Sequence, residues 1–174
     1  MKIRLSLAED ENPHYKALKE TGFWGKQAAG CIFGCPRTGR LLLPLRSLKV
    51  TEPNTWGTWG GALDEDETPE QGVKREIQEE TEYSGRYRLV PLSVFVHPSG
   101  FKYHNFLAIV LREFKPKLNW ETHRAVWFER EDIPHRLHSG LQALLHIESN
   151  QRIIEQNIGK TRGKDTGFSG KGRR

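Results

Sequence analysis

Few cysteines and no long apolar run occur in this 174-residue sequence. Its two cysteines, Cys31 and Cys35, lack the second ligand pair that a zinc site needs, so we expect both to be reduced and buried. No apolar stretch approaches a membrane span, and the first residues lack the apolar core of a signal peptide. These absences favour a soluble protein of the cytoplasm that does not contact membranes.

The composition, with 36% hydrophobic and 28% charged residues, fits one globular domain. The net charge of +5 is unevenly placed, because residues 159–174 hold six Lys or Arg and one Asp while the remainder is neutral. Five residues of this segment are Gly and only Phe168 is large and apolar. We therefore predict a domain over residues 1–158 and a disordered basic tail over 159–174. Such a tail either makes weak, salt-sensitive contact with nucleic acid or only aids solubility.

A helix is predicted to begin just after Thr68. A Thr can cap the first free amides of a helix, Pro69 suits the first helical position, and Gln71 completes a capping box. These residues open the sequence TPEQGVKREIQEETEY, which carries most of the chemistry in the chain.

Three carboxylates share one face of that helix. Glu76, Glu79 and Glu80 are spaced i, i+3, i+4, while Val73 and Ile77 lie to one side and can pack on a core. Clustered like charges repel, so a cation should offset them. Oxygen donors alone favour a hard cation such as Mg²⁺ or Mn²⁺. A solvated acidic helix face is the simpler alternative.

The spacing of residues before and within the helix decides between a metal site and a solvated acidic face. The sequence resembles the Nudix box, because Gly61 is followed after five residues by Glu67, and Glu67 after seven residues by Arg75-Glu76-Ile77-Gln78-Glu79-Glu80. The resemblance implies an α/β fold, an α/β/α sandwich around a mixed β-sheet. It also implies that Glu76, Glu79 and Glu80 hold the metal together with the Gly61 carbonyl, that one Glu accepts a proton from water, and that Arg75 ties down Glu67. Arg75 is not expected to face Glu76, its neighbour along the helix.

One position departs from the family pattern. Glu82 stands where relatives carry Gly, a residue that lets the chain leave the helix in a left-handed conformation. Because residues 81–83 are tolerable in a helix and Gly85 is a ready stop, we predict that the helix continues towards Gly85.

Alternating and continuous apolar runs predict strands at residues 28–33, 41–45, 87–96, 101–111 and 126–128. A short strand over residues 3–7 and a helical turn over 14–21 are also predicted. Residues 139–158 have a mostly helical period. The strand at 101–111 is apolar on both faces and is predicted to be central.

Several residues outside the box are candidates for the site. Arg46, at a strand end, and Lys102 are placed to contact substrate phosphates, although either charge is more often structural. Trp56 is the better candidate to stack on a base, while Trp59 either stacks on a base as well or packs beneath its loop. Glu121 precedes the Trp-Phe strand by the spacing at which some Nudix relatives supply another carboxylate, so the resemblance adds it as a metal ligand or base.

The resemblance implies metal-dependent hydrolysis of a pyrophosphate bond in a nucleoside diphosphate linked to another group. Pro98 stands fifteen residues after the box, as in many relatives that act on ADP-ribose. ADP-ribose and similar nucleotide sugars are therefore slightly favoured over nucleoside triphosphates, dinucleoside polyphosphates and RNA 5′ ends. A non-catalytic Nudix-fold regulator that binds nucleotide or RNA is the alternative, and the intact set of glutamates argues against it.

Overall fold

The structure, a computed structural model, describes residues 19–20, 22–23 and 25–159. The predicted strand over residues 3–7, most of the predicted helical turn over 14–21, and residues 160–174 of the basic tail lie outside the described residues. Every helix in the described part is too short or too polar to cross a lipid bilayer.

Three strands precede the helix that carries Glu76, three strands follow it, and two helices come after them. The predicted strands fall within a few residues of observed ones. The elements are β1 (Gln27–Cys35), β2 (Arg40–Arg46), β3 (Trp59–Ala62), α1 (Pro69–Thr81), β4 (Tyr87–Val96), β5 (Lys102–Val110), β6 (Thr122–Phe128), a 3₁₀ turn (Arg130–Asp132), α2 (Ser139–His146) and α3 (Glu148–Ile158).

The strands form one mixed sheet in the order β4-β5-β1-β2-β6, and β3 pairs with β1 off this path. β1 runs parallel to β5, with Ala29 opposite His104, while the other pairs are antiparallel. β5 therefore lies inside the sheet between β4 and β1, as its apolar faces predicted.

Alternation along β1 sends side chains to two different cores. Cys31 and Phe33 face the core beneath α1, to which Val73 and Ile77 contribute. Ile32 faces the opposite core, which lies beneath α2 and α3. Since one helical layer covers each face, the architecture is the three-layer α/β/α sandwich that the family resemblance implied. Both cysteines are buried free thiols, as expected.

The end of α1 corrects the prediction that the helix continues towards Gly85. The helix stops at Thr81, and Glu82 takes the left-handed conformation with φ 49° and ψ 27°. Tyr83 stacks on Phe114 with ring centroids 4.0 Å apart, and Lys117 donates to the Glu82 carboxylate at 2.9 Å. We infer that the packing of Tyr83 outweighs the local helix propensity of residues 81–83.

Candidate functional site

The entry to α1 is built as the sequence predicted. Thr68 accepts a hydrogen bond from the Gln71 amide, and the Gln71 side chain accepts one from the Thr68 amide in return, so the capping box is complete. Pro69 occupies the first helical position. This cap fixes where the helix begins and thereby the direction in which its acidic face points.

Arg75 joins the loop before α1 to the acidic face of the helix. Its guanidinium donates to both carboxylate oxygens of Glu67, at 3.0 and 2.9 Å, and to the Ala62 carbonyl at 2.9 Å. The ion pair with Glu67 was expected. Arg75 also donates to Glu76 at 2.8 Å and to Glu79 at 3.1 Å, so the prediction that it cannot face Glu76 is wrong. Adjacent Cβ atoms do diverge on a helix, but a long guanidinium side chain can fold back across that angle.

Glu80 is the buried member of the set, only 5% exposed. Its Oε2 accepts a hydrogen bond of 2.6 Å from the Gly60 amide. Burial raises the pKa of Glu80 well above 4.5, and the charges of Glu76 and Glu121 raise it further, against smaller opposing effects from the Gly60 amide and Arg46. The sequence analysis did not single out Gly60 as an orienting group, although the Gly60-Gly61 pair signals a close backbone approach.

Glu76 lies against strand β3. A Cβ placed on Gly61 would stand 2.5 Å from Oε1 of Glu76, so only glycine leaves room for this carboxylate. Burial raises the pKa of Glu76, hydrogen bonding to Arg75 lowers it, and the charges of Glu79 and Glu121 raise it. Gly61 therefore lies directly against the Glu76 carboxylate, and the metal-binding role of its carbonyl stays a prediction.

Glu121 and Arg46, which lie outside the box, are neighbours where β2 pairs with β6. Burial raises the pKa of Glu121, the Arg46 charge lowers it, and the Glu79 charge raises it. Ser47, next to Arg46, donates its amide to the Glu121 carbonyl at 2.8 Å, which holds the two segments together. We call Glu76, Glu79, Glu80 and Glu121 the acidic cluster.

Trp56 does not fulfil the stacking prediction. It is 5% exposed, it packs edge-on against Phe128 with centroids 4.7 Å apart, and the Arg124 guanidinium lies 5.2 Å from its ring centroid. A ring buried in this way cannot offer a face to a base, so that prediction is wrong. Trp59 is fully buried, with its indole N–H donating to the Leu42 carbonyl, so of its two possible roles the structure has the packed one.

Pro98 and Lys102 were predicted to contact substrate, and both lie near the turn between β4 and β5. Pro98 is exposed in the turn between β4 and β5, and Lys102 is exposed at the start of β5. Among the described residues, the contacts that build the acidic cluster involve neither of them, so their substrate roles stay predictions.

Tyr103 is a neighbour of the acidic cluster that the sequence analysis missed. Its hydroxyl lies 3.0 Å from the Thr58 hydroxyl, and burial together with the charges of Glu80 and Glu76 raises the pKa of the phenol. Gly30 on β1 leaves the space that the phenol occupies. The parallel register of β1 and β5 creates this contact, and no local pattern in the sequence signals it.

The donor set fits a hard divalent cation. The cluster supplies only carboxylate oxygens, and burial, together with the charges of neighbouring carboxylates, raises the pKa of Glu76, Glu80 and Glu121. Yet within the described chain no three acidic, His or Cys side chains are gathered closely enough to hold a metal ion as they stand. Arg75 takes one oxygen of Glu76 and one of Glu79, so part of the charge of these two carboxylates is offset by the guanidinium.

The three-layer α/β/α fold and the acidic helix beside its sheet are typical of the family that the sequence resembles, and comparisons with known proteins point to the same family. The family model described as NUDIX domain matches residues 25–146. The chain therefore belongs to the Nudix family. It is 45% identical over 62 residues to a curated protein of Mycobacterium tuberculosis named "Putative 8-oxo-dGTP diphosphatase 3", an alignment that covers 33% of this chain. The chain spans 29% of the length of that relative.

Solved structures share the fold across most of the chain. A Nudix hydrolase from M. smegmatis, RenU, is 26% identical with a TM-score of 0.59, covering 77% of this chain and 87% of that one. A NUDIX hydrolase from Nitrosomonas europaea is 22% identical with a TM-score of 0.62, covering 78% and 74%. A C. elegans Ap4A hydrolase is 20% identical with a TM-score of 0.58, covering 76% and 99%. The last two likenesses concern the fold alone.

Proposed function

We propose that the chain is a metal-dependent pyrophosphohydrolase that cleaves the diphosphate bond of a nucleoside diphosphate linked to another group. The observation that carries this proposal is the acidic cluster, in which carboxylates from α1 and from the segment before β6 raise one another's pKa while the charge of Arg46 lowers it. Bringing several carboxylates close together is unfavourable unless a cation offsets their repulsion. Membership of the Nudix family supports the same reaction class.

The groups that would hold Mg²⁺ or Mn²⁺ are the carboxylates of Glu76, Glu79, Glu80 and Glu121 and the Gly61 carbonyl. When bound, the metal would neutralise charge on the diphosphate oxygens and lower the pKa of a water molecule.

The side chains have separate tasks in the reaction. The Gly60 amide fixes the orientation of Glu80, and Arg75 fixes the loop carrying Glu67 against the helix. Arg46 supplies positive charge for substrate phosphate oxygens. Water attacks one phosphorus, a carboxylate of the acidic cluster accepts its proton, and the bond from that phosphorus to the bridging oxygen breaks.

For the substrate we rank nucleoside 5′-triphosphates first, with oxidised purine deoxynucleotides such as 8-oxo-dGTP among them. The name of the Mycobacterium tuberculosis relative supports this ranking. ADP-ribose and similar nucleotide sugars, which the position of Pro98 slightly favoured, come second because Pro98 lies in an exposed turn. Dinucleoside polyphosphates and RNA 5′ ends follow.

A substrate panel tests the proposal. Wild-type protein and Glu80→Gln would be incubated with each substrate class in Mg²⁺, in Mn²⁺ and in EDTA, and the products separated by ion exchange. We expect release of a nucleoside monophosphate that needs metal and that the variant largely loses. Nucleotide binding with no turnover in any arm would instead favour the non-catalytic regulator. Equal activity of both proteins would contradict the assignment of Glu80 to the site.

We also propose a cytoplasmic location, which the two buried free thiols support. Weak nucleic-acid contact through the basic tail is a further proposal, supported by its charge alone.

A further inference from the structure

The loop over residues 47–58, which we call the Arg46 loop, forms hydrogen bonds with the side chain and the backbone of Arg46. The Arg46 side chain donates to the Thr51 carbonyl at 2.8 Å and to the Thr51 hydroxyl at 3.1 Å. Its backbone amide donates to the Thr55 carbonyl at 2.9 Å, and its carbonyl accepts from the Asn54 amide at 3.1 Å. The position of this guanidinium therefore depends on where the loop holds Thr51.

The loop has a strained backbone that requires support from elsewhere. Glu52 and Asn54 have φ of 48° and 56°, a region that side chains with a Cβ rarely occupy. Such conformations persist only where surrounding contacts fix them. Glu52 directly follows Thr51, so its restraint bears on the residue that holds Arg46.

The Glu52 side chain supplies that support by reaching α2. Its carboxylate accepts from the Ser139 amide at 3.0 Å and from the Ser139 hydroxyl at 2.7 Å, and His138 Nε2 lies 3.2 Å away. Ser139 is the first residue of α2, so the carboxylate also faces the positive end of a helix dipole. Leu141 and Leu144 bury α2 in the core, which makes the helix a fixed support.

A second attachment lies further along the loop. The Trp56 amide donates to the Arg136 carbonyl at 3.0 Å, and the His138 amide donates to the Trp56 carbonyl at 2.8 Å. This attachment holds the end of the loop that leads to β3. The Glu52 contact holds the opposite part, next to Thr51.

We infer that Glu52 is a positioning residue, which fastens the Arg46 loop to the start of α2 so that the Arg46 guanidinium keeps its place beside the segment that carries Glu121. The inference rests on the proposed function, since Arg46 has its role there as a phosphate-binding cation. Glu52 touches neither substrate nor metal and acts through Thr51 and Arg46. It is therefore a determinant of substrate affinity, separate from the proton transfer.

A double-mutant cycle tests this inference. Glu52→Ala, Arg46→Ala and the double variant would be compared for kcat and KM on the nucleoside triphosphate that wild type turns over best. We expect Glu52→Ala to raise KM about fivefold to tenfold while kcat changes less than about twofold. When Arg46 is already Ala, adding Glu52→Ala should alter KM less than about twofold, because Glu52 affects KM only through Arg46. Glu52→Gln, which keeps an acceptor for Ser139, should restore much of the affinity.

Glu148→Gln is the matched control, because it removes a carboxylate from an exposed ion pair with Arg152 on α3. It should leave both constants unchanged. Independent and additive effects of Glu52→Ala and Arg46→Ala on KM would overturn the inference, as would an unchanged KM in a folded Glu52→Ala protein.

A binding measurement separates this inference from the proposed function. If wild type hydrolyses nothing in the panel, the proposed function fails, and the same cycle is then read from the Kd for inorganic pyrophosphate. A Kd that follows the pattern expected for KM would keep the inference, and absence of pyrophosphate binding to wild type would overturn it.

Discussion

The Gly60 amide and the Glu80 carboxylate, 20 residues apart in the chain, share a hydrogen bond of 2.6 Å. It joins strand β3 to the buried end of the acidic face of α1. A carboxylate held in this way cannot rotate freely, so the acidic cluster has one fixed member around which the exposed Glu79 can adjust.

Replacing Glu79 or Glu80 with Gln should reduce turnover at least about a hundredfold, because each change removes a charge worth several kcal/mol to the transition state. Without metal, Glu80→Gln should be as stable as wild type or more stable, since repulsion is relieved, whereas Glu79→Gln also loses its exposed ion pair with Arg75. Steady-state kinetics and denaturant unfolding measure the two effects. Near wild-type rates in either variant would contradict the assignment of the site.

Gly61→Ala should impair activity with little loss of folding. The new Cβ would stand 2.5 Å from Oε1 of Glu76, so that carboxylate must move. We expect turnover to fall at least about tenfold, equivalent to about 1.4 kcal/mol. Kinetics and thermal unfolding on the same preparation check this. Unchanged kinetics in the folded variant would show that the position of Glu76 is not critical.

Glu82→Gly should stabilise the protein by about 0.5–1 kcal/mol. Glycine removes the steric penalty of a Cβ at φ 49°, which exceeds the few tenths lost with the exposed ion pair to Lys117. Glu82→Ala is the matched control, since it loses the ion pair without relieving the backbone and should destabilise slightly. Free energies of unfolding from urea titration distinguish the two, and a destabilising Glu82→Gly would refute the strain argument.

The stability of the metal-free protein should depend on pH through Glu80. Folding raises the pKa of this carboxyl well above 4.5, so the folded state binds its proton more tightly than the unfolded state does. Its favourable contribution is complete below pH 4.5 and is lost as pH rises through the folded pKa. The stability of Glu80→Gln relative to wild type, measured in EDTA, should therefore increase with pH. A difference that stays constant with pH would contradict this.

Removing residues 160–174 should leave hydrolysis of small nucleotides unchanged. The deletion keeps Gly159, whose carbonyl accepts a hydrogen bond from Arg130. If the tail contacts nucleic acid, salt-sensitive retention of the protein on RNA should disappear with it. Parallel kinetic and RNA-retention assays at two salt concentrations check both expectations. Loss of small-substrate activity would indicate that the tail contributes to the catalytic site.

Local patterns predicted much of this molecule and failed where tertiary packing decides. The cap at Thr68, the apolar side of α1 and the strands near residues 41–45 and 87–96 follow from spacing and turn chemistry. The left-handed Glu82 follows instead from the packing of Tyr83 against Phe114, a residue far along the chain. Likewise, the burial of Trp56 depends on Phe128, which the sequence around Trp56 does not signal.

The single parallel pairing in the described sheet bears on how the protein folds. β1 borders β5, with Gln27 opposite Lys102, so the strand beneath the acidic helix gains this neighbour only after more than half of the chain exists. Pairings between segments so distant form slowly, because a long loop must close before the contacts compensate for it. During synthesis on a ribosome, the helix bearing the three box glutamates would emerge before its supporting sheet is complete. The acidic cluster can then be assembled only after β5 and the segment carrying Glu121 have followed.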